Sequence, residues 1–298
     1  MLLHAYLVEY LEFLYQDDDY IKLMMLEVLL SLPWLKRKDI MQIQLMKGKR
    51  GLIMGMANEY SIAYGIASIL SNCGSELIFT AQNERFKQKI FDIELFKNCR
   101  VFTCDVSQPD AIPALFQEIG NLYGSIDFVV HSIAFSDRKE LQGKYYDTSR
   151  DNFLNAINIS CYSFTEVCKC AKDVMPNGGS ILTLSYYGAE KVVPNYNVMG
   201  VIKSALEASV RYLASDLGEF NIRVNAVSAG PIKTLASSGV GGFSKILEYE
   251  QNRSPLCRNV TREDVGKACT FLLSDFASGI TGEIIHVDCG CNTVGVKF

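Results

Sequence analysis

Tyr196 and Lys203 stand seven positions apart in the stretch NYNVMGVIKSALEAS, residues 195–209, which otherwise reads as a buried helix. A tyrosine hydroxyl can donate a hydrogen bond to an oxyanion as it forms, and a neighbouring ammonium makes that donation easier. The lysine could also hold a ribose. On a helix, seven positions turn through about 700°, so the two side chains would share a face within about 20°, roughly 10 Å apart along the axis. Helical side chains lean toward the N-terminus, which brings the lysine arm back toward the tyrosine. Taken alone, such a pair is more often two surface side chains, so the surrounding elements have to decide.

Those elements alternate. RGLIMG reads as a strand ending in glycine and SIAYGIASILSNCG as a helix with Gly74 beyond its end. ELIFTA, a charged helical stretch, RVFTCDV, a helix through Ala114 and Phe116, and IDFVVHSIA continue the pattern. It runs on through GSILTLS, the Tyr196–Lys203 helix, IRVNAVSAGPI and a last strand near EIIHVD. About seven apolar strands separated by helices predict an α/β fold: a single Rossmann-type, doubly wound parallel sheet with helices on both faces. No linker or internal repeat divides residues 51–298. The segment IKTLASSGVGGFSK, residues 232–245, is the least regular. It is either a plain surface connection or a mobile lid, and its place beyond the strand VNAVSAG favours the lid.

Such a sheet binds a dinucleotide with a glycine at the first turn, a helix N-terminus and a polar group after the second strand. Gly55 supplies the turn, but GMANEYSIAYG is not a G-x-G-x-x-G fingerprint. Ser61, where a helix starts, would be the substitute, offering its hydroxyl and nearby amides to phosphate, or it is only an N-cap. Gln82 stands where an acidic ribose ligand is expected, and Arg85 is the nearest cation, a combination that favours NADH over NADPH. Asp105 closes the third strand, either facing adenine or making a strand-end turn. His131, in HSIA, reads as a packed strand residue.

The bulk composition narrows the class. A chain of 298 residues with 49% hydrophobic content supports one large domain, and a net charge of −4 gives no basic footprint for nucleic acid. Ten cysteines form no framework of short loops, and the three histidines stand at no zinc-ligand spacing from them, so no metal is expected and reduced thiols in the cytoplasm are. Residues 1–46 differ from the rest. They lack the basic start of a targeting peptide, and Glu27 and Pro33 interrupt their apolar run well short of a membrane span. The expectation is an N-terminal extension over 1–46, either an amphipathic helix pair or residues upstream of a start at Met41 or Met46, followed by a Rossmann-fold domain over 47–298.

SIAYGIA, VHSIAFSD, GGSILTLSYYGAEKVVPNYNVMGVIKSALEASVRYLA and IRVNAVSAGPIKTLA together resemble the NADH-dependent enoyl-acyl-carrier-protein reductases of bacterial type II fatty-acid synthesis, a divergent branch of the short-chain dehydrogenases. The resemblance runs from about Lys49 to Val296. Commoner members use Tyr-x-x-x-Lys, which would need a tyrosine at 199, where this chain has Met199. The Tyr-x6-Lys of the reductase branch is present as Tyr196 and Lys203, and that branch's upstream tyrosine matches Tyr186. A ketoreductase and a non-catalytic dinucleotide sensor are the competing readings. The resemblance implies that Tyr196 donates to the enolate, that Lys203 anchors the nicotinamide ribose and that Tyr186 borders the thioester. It also implies dinucleotide contacts from Gly55, Ser61, Ile62, Gln82, Asp105, Val106, Ile133, Ile232, Lys233, Thr234, Leu235 and Ala236. Ser136 would lie near the substrate, with Met199, Phe243 and Ile246 lining an acyl pocket. The implied partner is an acidic acyl carrier protein, with Lys191, Lys233 and Lys245 as candidate contacts, and the implied assembly is a homotetramer. The family usually has glycine where this chain has Ala134.

Overall fold

The apolar runs form seven strands, all parallel, in one sheet of order β3-β2-β1-β4-β5-β6-β7. In chain order the elements are β1 (Arg50–Met54), α1 (Ile62–Asn72), β2 (Glu76–Ala81), α2 (Glu84–Phe91), β3 (Arg100–Thr103), α3 (Ala111–Tyr123), β4 (Phe128–His131), α4 (Arg150–Ile157), α5 (Ser163–Asp173), β5 (Gly179–Ser185), α6 (Val198–Leu217), β6 (Ile222–Ala229), α7 (Phe243–Arg253), α8 (Arg262–Leu273) and β7 (Ile284–Val287). This computed structural model describes residues 44–296, and Leu45–Phe298 make one compact unit. The N-terminal extension, apart from residues 44–46, lies outside the described residues. Among the described residues no helix is long and apolar enough to cross a membrane.

The strands read as continuous apolar runs because both faces of the sheet are covered. On one face Ile112 and Phe116 of α3, Phe164 and Val167 of α5, and Ile202, Leu206 and Val210 of α6 pack against Leu52, Val129, Ile181 and Val224. On the other, Ile66 and Leu70 of α1 and Val265, Cys269 and Leu272 of α8 cover Ile53, Phe79, Val130, Leu182 and Val227. Burying each such side chain stabilises the fold by roughly 1.5–3 kcal/mol. Helices α1 and α8 approach closely because both carry glycine at the crossing. A Cβ on Gly65 would fall 2.5 Å from the Arg262 carbonyl oxygen, and one on Gly266 would fall 2.6 Å from that of Gly65. The apolar stripe of α6 therefore serves its own sheet, while Val201 and Tyr212 on the same helix stay exposed.

Two details of this frame shape the site. The sheet order reverses between β1 and β4, which opens a crevice beyond their carboxyl ends. In addition, β5 overhangs β4. The β4 ladder ends at His131 opposite Thr183, whereas β5 continues through Leu184 and Ser185, paired only with Val227 and Ser228 of β6.

Candidate active site

Every segment expected to meet a dinucleotide follows the carboxyl end of a strand. Gly55 follows β1 with φ +89°, and a Cβ there would lie 2.0 Å from the Ser132 carbonyl oxygen and 3.1 Å from Ile133 Cγ1. Only glycine satisfies both the turn and the close approach of the β1 and β4 ends. Ser61 sits at the N-cap of α1, yet its side chain makes no capping bond. Its Oγ instead accepts the amides of Ala57 and Asn58, both at 3.1 Å, and so shapes the loop that leads into the helix. At the start of α1 the amides of Tyr64 and Gly65 bond the Ser61 carbonyl, which leaves those of Ile62 and Ala63 without an acceptor in their own helix, and no acidic residue stands in that turn to repel an anion. Gln82 Nε2 donates to Asp105 Oδ2 at 3.2 Å, joining the ends of β2 and β3. Asp105 also closes its own turn, accepting from the Ser107 amide and hydroxyl. Val106 is buried among core side chains. A glycine cradle, a free helix N-terminus and a neutral amide after β2 fit a dinucleotide.

The tyrosines meet differently from the helical expectation. Helix α6 begins at Val198 with Asn197 before it at φ 39° and ψ −118°, so Tyr196 lies outside the helix. Asn195, at φ 62°, and Asn197 turn the chain in ways a helix cannot continue. The shared helix face argued from the seven-residue spacing is therefore corrected: Tyr196 stands in the turn before α6 and Lys203 within its second turn. Tyr186 follows β5 directly, and the two tyrosine rings meet edge to face with centroids 5.0 Å apart at 77°. Gly188 makes room for this, since a Cβ there would lie 2.5 Å from Tyr196 Cδ1.

Lys203 is 5% exposed, and its Nζ donates to the Leu184 carbonyl at 2.7 Å. Burial pulls its ammonium down to about 8 and pushes both phenols above the ordinary tyrosine range, so at neutral pH the tyrosines keep their protons. His131 is fully buried between Thr183 and Ser163, and burial, with the charge of Lys203, holds it neutral with a pKa of about 3. It is a packed strand residue.

Several polar residues that hold this region carry no local sequence signal. Asn152 of α4 exchanges hydrogen bonds with Ser136 and accepts the Asp137 amide at 2.9 Å. A π-helical turn, Asn158–Tyr162, brings Ser160 to the backbone of Phe135, beside Ala134. Across the crevice, Arg138 donates to the Leu235 carbonyl at 3.1 Å and Asn195 to that of Gly241 at 2.8 Å, fastening the 232–245 segment on two sides. Within that segment Thr234 and Ser237 cap each other's amides. Phe243 and Ile246 lie half-buried on α7, whose Glu250 adds to the upward push on Tyr186, while Met199 is buried against the core. Lys191, Lys233 and Lys245 are exposed.

The pattern of the family described as Enoyl-(Acyl carrier protein) reductase matches residues 55–292. An enoyl-[acyl-carrier-protein] reductase [NADH] from Rhizobium meliloti is 56% identical over 256 residues, covering 85% of this chain and 93% of the relative. The crystal structure of the corresponding reductase from Anaplasma phagocytophilum in complex with NAD superposes with a TM-score of 0.82 at 54% identity, covering 85% of this chain and 97% of that one. A Bacillus cereus enoyl-acyl carrier protein reductase with NADP+ and indole naphthyridinone superposes with a TM-score of 0.83 at 50% identity, covering 85% and 99%.

Proposed function

The chain belongs to the enoyl-(acyl carrier protein) reductase family, and from that premise we propose how its own residues carry the reaction. It is an NADH-dependent oxidoreductase that reduces the trans-2 double bond of enoyl-acyl-carrier-protein thioesters in fatty-acid synthesis. The observation that carries the assignment of roles is the convergence of Tyr186, Tyr196 and Lys203 at the β5 end of the crevice. NADH, when bound, would supply the hydride for the β-carbon, and a proton taken up at the α-carbon from solvent would complete the reduction of the enolate to the saturated thioester. Tyr196 donates a hydrogen bond to the thioester oxygen as the enolate develops. Its raised pKa keeps the proton on the phenol until charge appears on the substrate. Tyr186, edge-on to Tyr196, borders the thioester and limits where its carbonyl can lie. Lys203 holds the nicotinamide ribose while its own position is fixed by the Leu184 carbonyl.

The amides at the start of α1 and the loop shaped by Ser61 receive the pyrophosphate. Gln82, bonded to Asp105, takes the adenosine ribose, and this neutral amide beside a carboxylate suits a free 2′-hydroxyl better than a 2′-phosphate. Ile133, Val106 and the run Ile232–Ala236 line the rest of the dinucleotide. Ser136, Met199, Phe243 and Ile246 contact the acyl chain. The exposed lysines 191, 233 and 245 form a basic rim for an acidic carrier protein. A homotetramer is supported by Val201 and Tyr212, 41% and 76% exposed on α6, apolar surface that a subunit would cover. A cytoplasmic location accords with ten cysteines, all within the described residues and none bonded to another.

The test follows NADH absorbance with a trans-2-enoyl thioester, with NADPH and a 3-ketoacyl thioester in parallel. Oxidation of NADH by the enoyl compound alone is expected. Turnover of only the ketoacyl compound would overturn the reading in favour of a ketoreductase.

A further inference from the structure

The end of β5 that delivers Tyr186 is held by an unusual pair of contacts. Leu184 and Ser185 extend beyond β4, so one edge of this strand end has no ladder partner. Helix α6 supplies the missing restraint with two side chains one turn apart. Lys203 Nζ donates to the Leu184 carbonyl, and the Ser185 hydroxyl donates to Glu207 Oε1. Glu207 is 8% exposed, deep for a carboxyl group, and burial pushes its pKa up. Taking a carboxyl out of water costs several kcal/mol where it stays charged, so an apolar residue would fill this place with less strain if filling were all that was needed. Ser185 and Ser228 face each other in register on the sheet face that α6 covers, and His286 of β7 follows Ser228 in the same row. His286 in turn contacts Glu190 at 2.6 Å, so Glu207 lies at the inner end of a polar row that reaches the surface.

Resting on the roles proposed above for Tyr186 and Tyr196, we propose that Glu207 is a positioning residue for the reduction. Through its hydrogen bond from Ser185 it fixes the overhanging end of β5 and thereby the place of Tyr186 against Tyr196 at the thioester. Lys203 and Glu207 divide the work: the lysine holds the backbone of this strand end and faces the cofactor side, while the glutamate holds the side chain next to Tyr186. Loss of the Glu207 contact frees Tyr186 to shift, and displacement of a group bordering the reacting carbonyl by about 1 Å can cost up to about a hundredfold in rate. Cofactor binding does not depend on this contact, because Lys203 keeps its own bond to Leu184. The Gln variant keeps an acceptor of the same shape at Oε1, so it retains the clamp that the Ala variant removes.

The experiment compares Glu207→Gln, Glu207→Ala, Ser185→Ala and the double alanine variant with wild-type enzyme and Tyr196→Phe. Four quantities are read: kcat and KM for a trans-2-enoyl thioester, the NADH dissociation constant by direct fluorescence titration, and Tm. Glu207→Ala and Ser185→Ala are each expected to lose about tenfold or more in kcat/KM, a misplacement on the scale that costs rate without abolishing binding. Their NADH affinity should stay within about twofold of wild type, Glu207→Gln should return to within about threefold in rate, and the double variant should be no worse than either single one, since both remove the same contact. A Glu207→Gln as slow as Glu207→Ala, a Ser185→Ala as fast as wild type, or losses that add in the double variant would overturn the proposal. If Glu207→Ala does not fold, Ser185→Ala, which removes the contact, and Glu207→Gln, which keeps it, still decide it, because both change the volume little. Failure of the functional reading itself would appear separately, as wild-type enzyme that binds NADH but leaves the enoyl thioester unreduced.

Discussion

Replacing Lys203 with methionine removes a buried charge of matched length, and the structure says what that should do to stability and binding separately. The ammonium sits at about 8 rather than at the ordinary 10.5 because burial strips it of water. At any pH below both values this difference works against the folded state by about 3 kcal/mol. Opposing it is the hydrogen bond to the Leu184 carbonyl, which as a bond from a charged donor contributes roughly 1.5–3 kcal/mol. The two nearly cancel, so the methionine variant without cofactor should melt within about 5 °C of wild type at pH 7. The sign with pH follows: between about 8 and 10.5 the unfolded chain keeps the proton that the folded chain has lost, so wild type gains stability as pH rises through that window. The variant lacks this gain, so its stability relative to wild type falls from pH 8 to 10. NADH affinity should drop by about tenfold to a hundredfold, the value of one charge-assisted hydrogen bond. Thermal unfolding at a series of pH values and NADH fluorescence titration read both. A variant that melts far below wild type at pH 7 would refute the balance of terms, and unchanged NADH affinity would refute the role given to the ammonium.

Two further outcomes follow from single residues. Gly55→Ala would drive a Cβ into the Ser132 carbonyl, 2.0 Å away, from a left-handed backbone. It should abolish NADH binding or yield insoluble protein, and soluble enzyme with normal affinity would contradict the close β1–β4 approach. His131, held neutral with a pKa of about 3 against an ordinary 6.5, makes the folded state lose stability as pH falls below 6.5, by roughly 4 kcal/mol on approaching pH 3. In acid-unfolding curves His131→Gln should flatten this limb, while an unchanged curve would mean that the ring already takes up a proton in the fold.

Much of this architecture is legible in the sequence because it depends on local composition. Apolar runs such as ELIFTA and GSILTLS, too short for a helix of this fold and rich in Ile, Leu, Phe and Thr, read as strands buried on both faces, and their alternation with helical segments points to a parallel sheet. The turn before α6 was less legible. NYNVMG has the apolar spacing of a helix start, and nothing local announces that Asn195 and Asn197 adopt positive φ, so periodicity extended the helix back over Tyr196. Ser61 occupies the N-cap position that the sequence indicates, but nothing local announces that its hydroxyl accepts the Ala57 and Asn58 amides of the loop before the helix. Glu207, Ser185, Asn152, Arg138 and the Asn195 side chain acquire their roles only through partners 15 or more residues away, which single-sequence patterns do not encode. The π-helical turn at Asn158–Tyr162 likewise has no composition of its own, although such turns concentrate at functional sites.

Hydride transfer to the enoyl thioester depends on the phenol of Tyr196. The most direct measurement is a single-turnover absorbance trace of NADH oxidation by Tyr196→Phe at saturating NADH and enoyl thioester, beside wild type. The variant should transfer hydride at least about tenfold more slowly, a loss of about 1.4 kcal/mol or more of transition-state stabilisation, with NADH affinity unchanged. A transfer rate equal to that of wild type would contradict it and remove Tyr196 from the chemistry.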